Sequence, residues 1–344
     1  MRNELLNLFK FILILLVCFH HTAWWNNLNH GYIAVEFFFM VSGYFLFQAY
    51  NAKGMSLIDY FRHRLLRVYP TYFIVLIVYL LFSIVFYQFY NEYNKVNWIL
   101  SALRDLTLLQ SVGLNIFDVA SVRFNPPDWY ISAFFWSSMI IYWLLKFKNV
   151  YKIILTVLVL CVYSFYFIFN ERGLDEIWCY VNIFYMPLWR ALAGISLGVL
   201  LGGLLQNILI KEFLLKYKLV FNLITIGSII TICFCIITPK DFDWLCCLCF
   251  LCVLLNILSP KGLGCYFNNN RYLKIVPDIS FEILLIHQML IPVTVKMLSL
   301  LGVSEIHFLK YISYVCIVIV VAYALQKIVV PSFNQLIKNK MLCQ

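Results

Sequence analysis

Two titratable side chains, Lys10 and His21, lie eleven residues apart in a strongly apolar stretch near the start of the sequence. At about 100° per residue, this spacing brings both side chains to within about 20° of one helix face, about 16 Å apart along the axis. An imidazole in such a place can act as a general base or as a nucleophile. The alternatives are a lysine that anchors a helix end and a histidine at the membrane interface. His20 points about 100° away, so we assign the chemistry to His21.

An acidic residue, Glu36, lies in the next apolar run. A carboxylate beside an imidazole fixes its tautomer and raises its basicity, as a general base requires. We therefore predict that His21 and Glu36 act together in catalysis. An unpaired carboxylate at that depth is hard to keep ionised, which favours the catalytic role. The alternative is a structural pair between Glu36 and a neighbouring helix.

Three arginines, Arg62, Arg64 and Arg67, follow this second apolar run. Arg64 and Arg67 are three residues apart and face the same way on a helix, which we expect to end just before Pro70. Guanidinium groups at a membrane surface can bind phosphates bidentately. The alternative is an anchor that holds lipid head groups on the cytosolic side.

Later in the chain, charged or titratable side chains recur within apolar runs, namely Arg190, Glu282, His287 and Lys296. Such residues are costly in a bilayer and are candidates for a functional site. His287 lies close to the middle of its run, where it could belong to a polar passage across the protein. The alternative is a buried histidine with a structural role.

The composition indicates which elements must position these residues. The 344 residues are 63% hydrophobic and only 12% charged, whereas a soluble domain has about 25% charged residues. We therefore predict an all-α fold, a polytopic transmembrane helix bundle that forms a single membrane domain over residues 1–344 with no separate soluble domain. In such a protein the net charge of +10 reflects loops that face the cytosol rather than binding to nucleic acid.

About ten spans are expected from the positions of polar and Pro/Gly-containing breaks. They are 5–24, 32–50, 71–90, 127–146, 152–170, 183–205, 219–238, 244–259, 278–299 and 308–330. The segment 98–117 contains Arg104 and Asp105 and is better suited to an interfacial or re-entrant helix. Cytosolic N- and C-termini place most of the 26 Lys and Arg residues on the inner side. We expect the first span to be retained, because His21-Thr22-Ala23 is not a signal-peptide cleavage site.

Two further patterns indicate packing rather than chemistry. Cys249 and Cys252 have a metal-site spacing, but no histidine or acid lies nearby, so we expect no metal. Gly194, Gly198 and Gly202 recur every four residues, and such a stripe lets a neighbouring helix approach closely.

Taken in order, these motifs resemble the acyltransferase-3 family of integral membrane O-acyltransferases, which modify cell-surface glycans. The resemblance covers nearly the whole chain. The matching positions are Lys10 with His21, Glu36 to Tyr44, residues 61–70, Trp129 and Tyr130 with Ser132, Arg190 with Gly194, and Ile279 to His287. Lys10 departs from the usual arginine of the family, so a bidentate contact at that position becomes a contact with a point charge.

The resemblance implies an enzyme, an acyltransferase that transfers groups other than amino-acyl groups. Because acetyl is the usual acyl group in the family, the implied activity is that of an O-acetyltransferase. The implied donor is acetyl-CoA or another acyl-CoA, bound by Lys10, Arg62, Arg64 and Arg67. The implied catalytic residues are His21 and Glu36, with no metal.

The resemblance also implies the acceptor, a hydroxyl of an extracytoplasmic or lipid-linked polysaccharide. The residues assigned to binding it are Trp129, Tyr130, Arg190 and His287. The expected location is the bacterial inner (cytoplasmic) membrane, in which the protein is multi-pass and surrounded by membrane lipid.

A transporter or flippase for a lipid-linked glycan is the alternative function. It would use the same intramembrane charges as a pathway and would need no CoA. Such proteins are typically built from inverted repeats with broken helices, and the sequence shows no convincing repeat.

Overall fold

The structure is a computed structural model that describes residues 3–22, 30–85, 95–112, 125–148, 150–164, 174, 180–181, 184–238, 242–268, 270–276, 278–302 and 307–335. Its helices are α1 (Glu4–Thr22), α2 (Ala34–Lys53), α3 (Leu57–Val85), α4 (Lys95–Leu106), α5 (Asp128–Leu144), α6 (Tyr151–Ser164), α7 (Met186–Leu204), α8 (Ile208–Lys216), α9 (Lys218–Ile237), α10 (Asp243–Leu258), α11 (Leu263–Phe267), α12 (Ser280–Leu300) and α13 (His307–Ala324). Short 3-10 helices cover Gly31–Ile33 and Leu273–Ile275, and a π-helical turn covers Leu325–Val329.

The helical fold that the sequence predicts is confirmed, with one small exception. Strands β1 (Tyr180–Val181) and β2 (Phe184–Tyr185) form a two-residue antiparallel pair in which Tyr180 lies opposite Tyr185. This pair directly precedes α7 and leaves the helical character of the fold unchanged.

Each of the ten predicted spans contains a helix. Within the described ranges, seven helical segments are long and apolar enough to cross a membrane, and two apolar helices, Tyr151–Ser164 and Asp243–Leu258, are shorter. The multi-pass membrane fold is therefore supported. The number of ten spans and the cytosolic position of both termini stay predictions.

The expected end of a helix before Pro70 is wrong. Helix α2 ends at Lys53, and the next residue, Gly54, adopts a left-handed conformation (φ 52°). Helix α3 begins after Ser56, whose Oγ accepts a hydrogen bond from the backbone N–H of Asp59 (3.1 Å). It then runs without a break through Pro70 to Val85. A proline removes one backbone donor, whereas ending the helix there would leave several backbone groups unsatisfied at the membrane.

The predicted helix over 98–117 is shorter and begins earlier. Helix α4 ends at Leu106, and Leu108 has a positive φ of 57° in the turn that follows. The hydroxyl of Ser132 holds this turn, since it donates to the carbonyl of Leu108 (2.6 Å) and accepts from the N–H of Ser111 (3.0 Å). Residues 113–117 lie outside the described residues.

The contacts divide the chain into two compact units. Unit 1 comprises Met1–Tyr60 and Ala133–Pro277, and unit 2 comprises Phe61–Ser132 and Asp278–Gln344. The prediction of one membrane domain over 1–344 stays a prediction.

In unit 1, the predicted glycine stripe on α7 is confirmed as a surface of close helix packing. A Cβ added at Gly198 would overlap the carbonyl oxygen of Met40 on α2, and one at Gly43 would overlap that of Ile195 on α7. The two backbones therefore lie in direct contact, which requires glycine on both sides. This contact fixes α2 against α7, and each of these helices carries one of the predicted site residues.

Replacing Gly43 with alanine is therefore expected to lower the free energy of unfolding by about 1–3 kcal/mol or more, because the added methyl group forces α2 and α7 apart. The matched control is Gly227→Ala on α9, where an added Cβ meets nothing within 4 Å. Thermal unfolding of the purified full-length protein in detergent measures both. Equal melting temperatures for the two variants would contradict the close packing of α2 and α7.

Candidate active site

The first part of the candidate site is the α1 face that carries Lys10 and His21. Helix α1 is continuous from Glu4 to Thr22, so both residues lie on one regular helix, as predicted. Lys10 is partly buried, whereas His21 is exposed in the described part of the chain. The ring of His20 lies edge-on to that of His21, with 4.8 Å between centroids. The exposed imidazole at the end of the helix is therefore His21.

A short segment before α2 packs against this end of α1. The ring of His20 also lies edge-on to that of Tyr32, with 5.6 Å between centroids. A Cβ added at Gly31 would overlap the carbonyl oxygen of Leu16 on α1. The 3-10 helix Gly31–Ile33 thus lies directly on the helix turn that ends in the two histidines.

Glu36 on α2 and Arg190 on α7 form a buried ion pair. Arg190 Nε donates to Glu36 Oε1, and both side chains are fully buried. Two further donors of the guanidinium are also bonded: Nη1 to the carbonyl of Leu174 (2.8 Å) and Nη2 to that of Tyr32 (3.0 Å). The second carboxylate oxygen of Glu36 accepts from the hydroxyl of Tyr163 (2.6 Å).

Asp243 extends this arrangement to α10. Its carboxylate accepts from the hydroxyl of Tyr32 (2.9 Å) and from the backbone N–H of Leu174 (2.8 Å). We call Glu36, Arg190, Tyr163, Tyr32 and Asp243 the ion-pair cluster. Its members come from α2, α7, α6, the 3-10 helix and α10, so the cluster fixes the segment that packs on the histidine end of α1.

Both Glu36 and Arg190 are predicted site residues, and the structure brings them together. It shows Glu36 in the second predicted arrangement, a pair with a neighbouring helix. The hydrogen bonds on both of its carboxylate oxygens come from Arg190 and Tyr163. The roles predicted for Glu36 in catalysis and for Arg190 in acceptor binding stay predictions.

Sequence reasoning missed three members of the cluster, Tyr163, Tyr32 and Asp243. Asp243 begins an apolar helix, and its burial (1% exposed) could have been suspected from the cost of a carboxylate there. Nothing in the sequence distinguishes Tyr163 or Tyr32 from the other tyrosines, of which the chain has 23 in all.

In unit 2, all three predicted phosphate-binding arginines lie on the first part of α3. Arg62 and Arg67 are exposed, and Arg64 is partly buried. Because α3 continues through Pro70, these guanidinium groups are carried by the same rigid helix that forms the predicted third span. The arginines therefore lie on a helix, as predicted for Arg64 and Arg67.

His287 is fully buried on α12. Its Nδ1 lies 2.8 Å from the carbonyl oxygen of Leu284. A carbonyl oxygen only accepts, so Nδ1 donates this hydrogen bond. The backbone carbonyl of His287 accepts from the hydroxyl of Tyr314 on α13 (3.0 Å). The imidazole is therefore held against its own helix turn, and the backbone of His287 is tied to α13.

Trp129 and Tyr130 lie in the first turn of α5, next to a buried polar group. The Nδ2 of Asn125 donates to Asp128 Oδ1 (2.6 Å) and to the carbonyl of Leu285 on α12 (3.0 Å). The start of α5 is thereby tied to α12 two residues before His287. Tyr130 is buried and Trp129 is partly exposed. Sequence reasoning missed Asn125, whose role depends on this contact between distant segments.

The predicted site residues therefore fall in both units. Those in unit 1 are Lys10, His21, Glu36 and Arg190. Those in unit 2 are Arg62, Arg64, Arg67, Trp129, Tyr130 and His287. The structure groups Glu36 with Arg190, and it ties the helix turn of Trp129 and Tyr130 to the helix of His287.

Comparison with known proteins identifies the family to which this chain belongs. The model of the acyltransferase-3 family, described as an acyltransferase domain, matches residues 3–327. Comparison with curated proteins and with solved structures gave no match. The matched range contains every predicted site residue, and its apolar helices are those of an integral multi-pass membrane protein. This chain therefore belongs to the acyltransferase-3 family and is a membrane acyltransferase.

Proposed function

We propose that this protein moves an acyl group, acetyl by family resemblance, from cytosolic acyl-CoA to a hydroxyl of an extracytoplasmic or lipid-linked glycan in the bacterial cytoplasmic membrane. The observation that carries the proposal is the family match over residues 3–327. The donor and the acceptor come from the resemblance of the motifs. The chemistry of the side chains in each unit supports them.

The donor is held by its phosphates. Arg62, Arg64 and Arg67 present guanidinium groups on α3, and two of them are exposed. Guanidinium groups pair bidentately with phosphate oxygens, and CoA carries a pyrophosphate and a further phosphate. Lys10 lies about 16 Å from His21 along α1, a distance comparable to the length of the pantetheine arm. It contributes a point charge to donor binding.

His21 carries out the transfer. In the direct route, its imidazole takes the proton of the acceptor hydroxyl while the hydroxyl oxygen attacks the thioester carbonyl. The carbon–sulfur bond then breaks, and the CoA thiolate leaves and takes up a proton from the imidazolium. In the two-step route, the imidazole attacks the thioester carbonyl and the CoA thiolate leaves with a proton. The acceptor hydroxyl then attacks the acyl-imidazole, and the released imidazole takes up the hydroxyl proton. Both routes need an imidazole that a substrate can reach, and His21 is exposed.

Glu36 acts on His21 through other residues. Arg190 links its carboxylate to the backbone of Tyr32, and the segment of Tyr32 packs on the histidine end of α1. In this proposal Glu36 and Arg190 are positioning residues for His21. Trp129 and Tyr130 contribute aromatic faces for the sugar, and His287 contributes to binding one of its hydroxyls.

The test uses membranes that contain the full chain, incubated with acetyl-CoA labelled in the acetyl group. We expect label on surface glycan, in an alkali-labile ester, only when the chain is present. Membranes with an empty vector give the background. Movement of lipid-linked glycan across the membrane without CoA consumption would instead favour the transporter.

Loss of the two same-face arginines is expected to weaken donor binding. Each charge-assisted contact to a phosphate contributes about 1.5–3 kcal/mol, so Arg64→Ala with Arg67→Ala should raise the Kd for CoA by about 100-fold or more. Titration of purified protein with CoA measures this. Lys146→Ala with Lys148→Ala removes the same charge from exposed positions and serves as the control. Unchanged CoA binding in the arginine variant would contradict this role and would favour the alternative, in which the arginines hold lipid head groups.

A further inference from the structure

A basic pocket lies in unit 1 between α8, α9, α10 and the turn after α10. Its lining includes three lysines, Lys211, Lys218 and Lys261, together with Asn256 and Ser259. These residues have no role in the proposed acyl transfer.

The floor of the pocket is held rigidly by Asn256, which is 4% exposed. Its Nδ2 donates to Thr225 Oγ1 (2.8 Å) and to Asn222 Oδ1 (3.0 Å) on α9. Its Oδ1 accepts from the backbone N–H of Leu263, at the start of α11 (3.1 Å). One buried amide therefore joins α9, α10 and α11 around the pocket.

The rim that carries Lys261 is also fixed. The hydroxyl of Ser259 donates to the carbonyl of Asn256 (3.1 Å). A Cβ added at Gly262 would overlap that same carbonyl oxygen, so the turn passes directly against the end of α10 and requires glycine there. Lys261 lies between these two residues, on a backbone that has little freedom to move. The floor and the turn are thus fixed before any ligand arrives, which reduces the entropy cost of ordering them on binding.

The charge of the pocket is positive and is not neutralised by the described residues. No acidic residue is among its lining residues, and the three lysines form no ion pair within the described part of the chain. The Nζ of Lys218 lies 4.1 Å from the ring centroid of Tyr266, a cation–π contact that orients it. Three lysines beside a polar floor that contains no carboxylate suit a phosphate group.

The surroundings of the pocket are apolar and exposed. Leu215 lines the pocket and is 38% exposed, and Leu219 and Val220, beside Lys218, are 72% and 51% exposed. Exposed apolar side chains on a membrane helix contact acyl chains. A ligand that satisfies both features carries a phosphate and hydrocarbon tails. This end of α9 is also the one that we predict to face the cytosol, where the leaflet is rich in anionic lipids.

We propose that the pocket lined by Lys211, Lys218 and Lys261 binds the phosphate head group of an anionic phospholipid. The lipid phosphate lies among the three ammonium groups, and its acyl chains lie along the exposed apolar residues of α8 and α9. The site is separate from acyl transfer, and its test needs no activity measurement.

The test measures lipid binding to the purified full-length protein in detergent, with phosphatidylglycerol and phosphatidylcholine as probes. The variant Lys211→Gln, Lys218→Gln, Lys261→Gln is expected to lose about 100-fold in affinity for phosphatidylglycerol, at about fivefold per lysine. The control Lys146→Gln, Lys148→Gln, Lys152→Gln removes the same charge from exposed positions near the start of α6 and should bind as the wild type does. Replacement of the three pocket lysines by arginine should retain binding.

Three results would overturn the proposal. The first is an equal loss of affinity in both glutamine variants, which would indicate only general surface charge. The second is equal binding of phosphatidylcholine and phosphatidylglycerol by the wild type. The third is binding of inorganic phosphate that depends on the three lysines without any binding of phosphatidylglycerol, which would assign the pocket to a soluble phosphate.

Discussion

Replacing His21 with glutamine is expected to lower the rate of acyl transfer at saturating acetyl-CoA by about 10²–10⁴-fold, the usual contribution of a general base. The loss should appear in kcat rather than in the Kd for CoA, because the phosphates are bound by other residues. The melting temperature should stay close to that of the wild type, since His21 is exposed at the end of α1. Initial rates with labelled acetyl-CoA and thermal unfolding measure the two quantities.

The neighbouring imidazole provides the matched control. His20 packs edge-on against Tyr32 and is partly buried. The variant His20→Gln is therefore expected to affect stability more than the chemical step. A large loss of kcat in His20→Gln, with full activity in His21→Gln, would contradict the assignment and identify His20 as the general base.

Breaking the buried ion pair is expected to have the largest effect on stability. Glu36→Gln or Arg190→Gln leaves an uncompensated charge in a fully buried place, which costs about 3–5 kcal/mol. The double variant removes both charges at once. Its free energy of unfolding should therefore fall by less than the sum of the two single losses, with a coupling of up to about 3 kcal/mol.

Denaturant titration of the four proteins in mixed detergent micelles completes this double-mutant cycle. Additive losses, with no coupling between Glu36 and Arg190, would show that the ion pair is not formed. Tyr163→Phe extends the cycle, because its hydroxyl donates to the same carboxylate (2.6 Å). If Glu36→Gln or Arg190→Gln lowers the free energy of unfolding by less than about 1 kcal/mol, the pair lies outside the core, where ion pairs contribute little.

The positions of the helices could be predicted because hydropathy and helix length are local properties of the sequence. The glycine stripe of α7 could also be predicted, since a repeat of four residues indicates one helix face. Pro70 misled the prediction because its local preference against helix gives way where the backbone on both sides must stay hydrogen-bonded. Predictions from local residue preferences therefore fail where an unsatisfied backbone hydrogen bond in the membrane costs more than the local preference.

The partners within the site could not be predicted. The cost of charge in a membrane identifies Glu36 and Arg190 separately, but they are 154 residues apart and nothing in the sequence pairs them. The same holds for Asn125, which is 160 residues from its partner Leu285. A contact between distant helices depends on how the helices pack, and one sequence does not contain that information.

The most direct test of acyl transfer at His21 counts two products in one reaction. Purified full-length protein in liposomes receives acetyl-CoA and an acceptor glycan, and the free CoA thiol and the glycan ester are both quantified. We predict equal amounts of thiol and ester from the wild type, and loss of both in His21→Gln. Ester formation at the wild-type rate in His21→Gln, or glycan movement without any thiol release, would contradict the account.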